Sequence, residues 1–465
     1  MILAAQPALV RSLAVGKVCI IGAGSSGIAA CQVLHARGIE FDCFEKGSNV
    51  GGNWRYDNDN GMSSAYRSLF INTSREMMAY ATYPMPEDYP DYPHHTQIAR
   101  YFDAYVDHFG FRDRIRFRTE VRAVEPEGGG CWRVTLDDGE SQVYDAVMVA
   151  NGHHWDPKWP EPSFPGQDSF SGVQVHAHHY REPDERFTDK NVLVLGIGNS
   201  ATDIAVETSR VSTMTYLAMR RGAHVLPKYI AGTPTDQLGP KFLSRLPFGV
   251  TRALFMRELK HVQGPMENYG LPKPDHKLGE AHPTISADLL ARIGHGRITP
   301  KPNIARLEPD RVHFTDGTRL QIDTIVWCTG YRISFPFLAA EILEAEGNHV
   351  PLFRRVVHPE APGLYFIGLV QPLGAIMPIA ELQAEWVADL FEGSAALPEP
   401  HAMKEEIERE EATMRKRYVA STRHTIQVDY YPYMRLLGKE RKRSEGLKRA
   451  LPVDSPSARV PVRAA

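Results

Sequence analysis

The chain has 465 residues, 43% of them hydrophobic and 23% charged, which is too long for one hydrophobic core and divides naturally into two or three domains. Its 53 basic and 56 acidic side chains leave a net charge of -3, which excludes a general basic field for gripping nucleic acid or an anionic membrane. Five cysteines without a CxxC pair exclude a disulfide framework, a zinc site and a dithiol redox centre, and no apolar run approaches the ~20 residues of a bilayer-spanning helix.

The opening stretch MILAAQPALVRSLAVG is weak as a secretory signal because Arg11 interrupts its apolar run, so a soluble, cytoplasmic protein is expected. The next stretch, KVCIIGAGSSGIAACQVLHARGIEFDCFEK, reads as strand, glycine turn, helix and second strand. In it Gly22 permits the tight turn, Gly24 removes a side chain that would block a pyrophosphate, and Gly27 allows close helix-strand contact. Ser25 and Ser26 open the helix whose N-terminus would meet the phosphates. Glu45 ends the second strand 23 residues after Gly22, where a carboxylate can accept hydrogen bonds from ribose hydroxyls, and Lys46 follows it. Farther on, IRFRTEVRAVEPEGGGCWRVTLDDGESQVYDAVMVANG reads as strand, hairpin and strand, with GGG as the loop tip. It closes a first domain part over 1–160, and the proline-rich HHWDPKWPEPSFPG then reads as a crossing linker.

A second fingerprint appears in NVLVLGIGNSATDIAVETSR: a strand, a GxGxxA turn through Gly196, Gly198 and Ala201, and a helix opened by Asn199 and Ser200. The following strand ends in Arg220 and Arg221, whose guanidinium forks can bind a ribose 2′-phosphate where an acid would repel it. NADPH is therefore expected over NADH. This domain is expected over 165–325, with a helical insertion over about 225–290 near the active-site entrance. TIVWCTGY returns the chain to the first domain, whose second part is expected over 326–435. There LYFIGLVQPLGAIMPIAELQAEWVADL reads as a buried strand, a loop and a helix starting near Pro378, with its dipole aimed at a flavin pyrimidine. The basic residues 436–465 read as a flexible tail. The histidine pairs 94–95, 153–154 and 178–179 lack partnering Cys or an HExxH pattern, so no metal is expected. The expected fold class is α/β with two Rossmann-like dinucleotide-binding domains, one for FAD and one for NADPH, the second inserted into the first. Dithiol reductases share that plan, yet they require a cysteine pair beside the flavin.

Phe170, Gly172, His176 and Tyr180 stand in the spacing FxGxxxHxxxY, and here the sequence resembles the flavin-containing monooxygenases, class B flavoprotein monooxygenases. The related Baeyer–Villiger enzymes usually carry Trp in place of Tyr180, followed by Pro or Asp where this chain has Arg181. GGNWR (51–55), INTSREMM (71–78), ANGHH (150–154), CTGY (328–331) and GLVQP (368–372) appear in the family's order, so the resemblance runs from about 16 to about 435. It implies that Gly51, Gly52, Trp54, Asn72, Thr73, Val121 and Gln371, with backbone amides near Gly374, lie along the FAD. It implies a catalytic place for Asn72 beside the reactive flavin edge, where an amide can donate and accept. The bland reading of the same Asn-Thr-Ser run is a turn that caps a helix at REMM, and both readings stand at this point. His176 is assigned a structural or gating role.

The implied activity resembles that of N,N-dimethylaniline monooxygenases. Hydride passes from NADPH to FAD, dioxygen adds at C4a to give a hydroperoxide, and its distal oxygen moves to an amine nitrogen or thioether sulfur. Three readings compete: a Baeyer–Villiger enzyme acting on ketones, an uncoupled NADPH oxidase or flavin reductase, and a non-enzymatic nucleotide-binding module. The partners expected are a small-molecule substrate and dioxygen, with no nucleic acid and no membrane, and a homodimer is left open.

Overall fold

The computed structural model describes residues 16–238, 248–419 and 425–450. Two five-stranded parallel sheets organise it. The first has the order Leu364–Phe366, Ala146–Val149, Lys17–Ile21, Glu40–Phe44, Ile115–Arg116. Its inner strands are almost continuously apolar because both faces are covered. On one face lie the helices Ser25–Ala36 and Met377–Phe391, packed against each other. On the other, the antiparallel meander Val121–Gly128, Cys131–Leu136, Ser141–Tyr144 presents Trp132, Val134 and Leu136 to Ile21 and Val147.

The chain leaves this sheet after Val149 and rejoins it at Leu364, and a second unit of the same plan occupies the interval. Its order is Ile298–Lys301, Met214–Ala218, Asn191–Leu195, Thr324–Trp327, Val173–His176, again all parallel. Helix Asn199–Thr208 covers one face, and the meander Ile304–Leu307, Arg311–Phe314, Arg319–Gln321 covers the other. This is the expected α/β architecture, with one dinucleotide-type domain inserted into the other. Both passages between the units run side by side as a short antiparallel ribbon of Asp156–Pro157 and Tyr331–Arg332.

Two readings need correction. The stretch 225–290 is not simply helical. Its described part contains the helix Phe248–Gln263, but also a parallel pair Val225–Leu226/Thr284–Ile285 and a hairpin Tyr229–Ile230/Thr233–Pro234. Pro227 and Pro234 bracket that hairpin and oppose a helix. Ala231 (φ 49°) and Gly232 (φ 78°) form the left-handed pair that a two-residue hairpin turn requires.

The supposed tail from 436 is not flexible as far as Ala450, because helix Tyr430–Ala450 packs on helix Met377–Phe391. Tyr433, Leu437, Glu440 and Ser444 recur at helical spacing and are buried. The Trp386 indole donates to Ser444 Oγ at 3.2 Å, and buried Arg354 pairs with Glu440 at 2.9 Å and also with Glu406 and Glu410. Residues 451–465 of that reading lie outside the described residues. Among the described residues no helix is long and apolar enough to cross a membrane.

Candidate functional site

The first glycine turn sits at the C-terminal edge of the first sheet. There Gly22 adopts φ 97°, and a Cβ on Gly27 would lie 1.8 Å from the Gly22 carbonyl oxygen, so the helix can approach the strand only without a side chain. Gly24 differs, since a Cβ there would meet only Gly52 Cα, at 3.9 Å. Among the described residues nothing fills the space in front of this turn. That space opens into a cavity of about 600 Å³ bordered by Gly22, Gly24, Ser25 and Ser26.

The cavity collects most of the predicted flavin residues from distant stretches: Glu45, Lys46, Gly51, Gly52 and Trp54 from the first pass of the chain, then Asn72, Thr73 and Val121, then Gln371 and Gly374. Gly27 stands behind it as a packing residue. Glu45 is buried and already engaged. Its Oε2 accepts from the Ala23 amide at 2.8 Å, and its Oε1 accepts from the Gly47 amide at 2.7 Å and from Asn60 at 3.2 Å. The acid thus shapes the turn as well as bordering the cavity. Lys46 pairs with Glu120 at 3.2 Å.

Asn72 lies in the cavity wall, half-buried. The cap reading does not hold, because the residue at the N-cap of helix Arg75–Met78 is Ser74, with no side-chain cap bond. The Ser74 amide instead donates to Asp236 Oδ2 at 2.7 Å. Across the cavity, Gly368 (φ 75°) brings the GLVQP turn so close to the first helix that a Cβ would lie 1.9 Å from Ser26 Oγ. The N-terminus of helix Met377–Phe391 reaches the cavity through Ile376, and Pro378 occupies the first turn.

Residues missed from the sequence include Met62, Phe70, His153, Trp155, His282 and Phe337, all on the cavity wall. The ANGHH motif marks this stretch in the sequence, but spacing alone offers its histidines no role beyond that of a metal pair without partners. His153 Nε2 is covered and has no hydrogen-bond partner among the described residues, and burial pushes this ring down to about 4, so it is neutral at pH 7. His282, contributed by the second unit, gave no periodic signal.

The second fingerprint stands apart. None of Gly196, Gly198, Asn199, Ser200, Ala201, Arg220 and Arg221 borders the cavity. Gly196 adopts φ 135°, and a Cβ there would lie 2.9 Å from the Cys328 carbonyl oxygen. Gly198 occupies the N-cap of helix Asn199–Thr208, followed by Ser200 and fully buried Ala201. Asn199 Oδ1 accepts from the Ile285 amide at 2.8 Å, so its side chain holds the inserted segment. Arg220 and Arg221 are exposed just beyond strand Met214–Ala218, with Arg221 Nε 3.6 Å from Asp275 Oδ2. Each unit thus carries a glycine turn opening a helix, a donor set that fits a dinucleotide pyrophosphate.

A family model described as flavin-binding monooxygenase-like matches residues 15–444. The chain is 39% identical to flavin-containing monooxygenase 5 of Rattus norvegicus over 435 residues, covering 90% of this chain and 81% of that protein. Among solved structures, S-allyl-L-cysteine S-oxygenase from Allium sativum superposes with a TM-score of 0.70 at 28% identity, over 92% of this chain and 88% of that one. An oxidised steroid monooxygenase bound to NADP shares the fold, with a TM-score of 0.70 at 17% identity over 92% of this chain and 98% of that one.

Proposed function

The chain belongs to the flavin-binding monooxygenase-like family, whose members are FAD- and NADPH-dependent monooxygenases, and on that premise we propose that it oxygenates an amine nitrogen or thioether sulfur of a small molecule. When bound, the flavin supplies hydride acceptance from NADPH and activation of dioxygen. The chain's own residues bind, orient and exclude water. The amides opening helix Ser25–Ala36 take the flavin pyrophosphate in the space left by Gly24, while Glu45, fixed by Ala23 and Gly47, offers its remaining lone pairs to a ribose. Arg220 and Arg221 take the 2′-phosphate of NADPH.

Asn72 offers one donor pair and one acceptor in a cavity wall to which Trp54, Met62, Phe70, Phe337 and Val370 contribute apolar surface. Such a wall keeps water from the reacting atoms. His153, neutral beside it, brings no cationic proton donor at pH 7. No protein nucleophile is needed when the substrate atom is itself nucleophilic. The observation that carries the proposal is the cavity in front of Gly24, which has Asn72 in its wall beside apolar side chains. Preference for a soft nucleophile over a ketone is supported by Tyr180 in the FxGxxxHxxxY run, buried and donating to Glu207 at 2.8 Å, and by the likeness to an S-oxygenase.

We also read the FAD-binding part as 1–160 with 326–435, extended by the docked helix, and the NADPH-binding part as 165–325. A cytoplasmic location accords with five dispersed cysteines. Holoprotein supplied with NADPH should convert a thioether to its sulfoxide or a tertiary amine to its N-oxide. Conversion of ketones to esters, with neither of those products, would refute the substrate class.

A further inference from the structure

The segment that carries Asn72 forms no strand, and residues 91–93 of its own domain hold it along one side. The Ile71 amide donates to the Pro93 carbonyl at 3.0 Å and the Arg75 amide to the Asp91 carbonyl at 2.7 Å. The inserted hairpin holds the other side. Lys228 Nζ donates to the Ile71 carbonyl at 3.2 Å, one residue before Asn72, and Asp236 Oδ2 accepts from the Ser74 amide at 2.7 Å, two residues after it. Gln237 Nε2 adds a bond to Ser74 Oγ at 2.9 Å.

The hairpin is itself rigidly tied. The Thr235 amide donates to the Lys228 carbonyl at 2.9 Å, Thr235 Oγ1 donates to the Pro227 carbonyl at 2.6 Å, and Ile230 is buried against Leu226 and Leu259. Tyr229 and Tyr92 stitch it to the 91–93 support, through Asp91 Oδ2 at 2.8 Å and the Lys228 carbonyl at 2.5 Å.

We propose that Lys228 and Asp236 are positioning residues that fix Asn72 in the cavity wall, a clasp supplied by the inserted segment; this rests on the reading of Asn72 given above. The two charges are kept at a cost. The Lys228 ammonium lies between the rings of Phe70 and Tyr92, at 5.6 and 4.8 Å from their centroids, and burial lowers its pKa. Asp236 Oδ1 is covered with no hydrogen-bond partner among the described residues, and burial raises the carboxyl pKa. Both groups hydrogen-bond to backbone atoms flanking Asn72, Lys228 to the Ile71 carbonyl and Asp236 to the Ser74 amide. Because the clasp belongs to the inserted unit, docking of that unit is what holds Asn72 in the cavity wall.

The test compares holoenzyme variants by hydrogen exchange and by coupling. Asp236→Ala should speed exchange of the Ser74 amide roughly tenfold or more, and Asp236→Asn, whose side-chain oxygen still accepts, should restore protection. Lys228→Met gives an independent variant on the Ile71 side. In both Asp236→Ala and Lys228→Met, hydrogen peroxide released per NADPH should rise, yet neither should add to the rise caused by Asn72→Ala. Unchanged Ser74 exchange in Asp236→Ala overturns the clasp. Additive leakage in the Asn72→Ala background overturns its action through Asn72. Intact coupling in Asn72→Ala alone removes the role of Asn72 and the positioning claim with it, while the exchange result still reports on the clasp.

Discussion

Gly24 and Gly27 stand three residues apart in one motif, and the structure predicts opposite failures for them. A Cβ at Gly24 has 3.9 Å of clearance to the nearest atom, and the residue's φ of -71° suits any side chain. Gly24→Val should therefore fold, losing about 1 kcal/mol because valine is a poor N-cap residue. Its methyl groups enter the space reserved for the pyrophosphate. Displacing the phosphates from two helix N-terminal amides forfeits two charge-assisted hydrogen bonds of about 1.5–3 kcal/mol each, which weakens FAD binding by roughly 10²–10⁴-fold. At Gly27 the same Cβ would overlap the Gly22 carbonyl oxygen at 1.8 Å, so Gly27→Val should separate helix from strand and destabilise the apoprotein by about 3 kcal/mol or more. The assay is flavin absorbance per protein in the purified variants, FAD titration by fluorescence quenching, and melting temperatures compared between apoproteins. A Gly24→Val protein that purifies with a full complement of flavin refutes the reasoning. So does one whose apoprotein melts as early as Gly27→Val.

Four further outcomes are expected. Arg220→Ala should weaken NADPH use roughly tenfold or more with little change for NADH, and Arg221→Ala should do less because Asp275 already engages that side chain; steady-state kinetics with both coenzymes decide it. Asn72→Ala should raise peroxide released per NADPH, a loss of about 1–3 kcal/mol, at an unchanged melting temperature, because Ser74 occupies the cap. Unaltered coupling would discard its catalytic role. Leu437→Ala, in the docked C-terminal helix, should cost about 2–5 kcal/mol in denaturant unfolding, whereas a flexible tail would make it neutral. His176 and His178 are pushed down to about 4 by burial, below the ordinary 6.5, so the unfolded chain binds more protons than the folded one between those values. Stability should fall as pH drops from about 6.5 to about 4, and thermal melts of His176→Gln should show a shallower decline.

The parts of the fold legible in the sequence were those set by local sterics. A glycine that must pass under a carbonyl oxygen, as at Gly27 and Gly196, leaves its mark at that position whatever surrounds it, and both units were read from such turns. The inserted stretch was misread because its strands are two residues long, too short for any periodicity, and the decisive signals were Pro227, Pro234 and the Ala231-Gly232 pair. The last helix was misread because the stripe of Tyr433, Leu437, Glu440 and Ser444 is diluted by lysines and arginines on its outer face. In the site, Asn72 and Gln371 came from motifs, whereas Phe337 and His282 reach the cavity only through tertiary packing. Glu45 carried one signal and two tasks, since the carboxylate assigned to a ribose also holds the Ala23 and Gly47 amides.

The central claim is oxygen transfer from dioxygen to a soft nucleophile at the expense of NADPH. Incubating holoenzyme with NADPH, a thioether and ¹⁸O₂ in ordinary water, and weighing the product by mass spectrometry, tests it most directly. The account predicts a sulfoxide carrying one ¹⁸O atom for each NADPH consumed. Labelled hydrogen peroxide in place of labelled sulfoxide, or a sulfoxide whose oxygen comes from water, would contradict it.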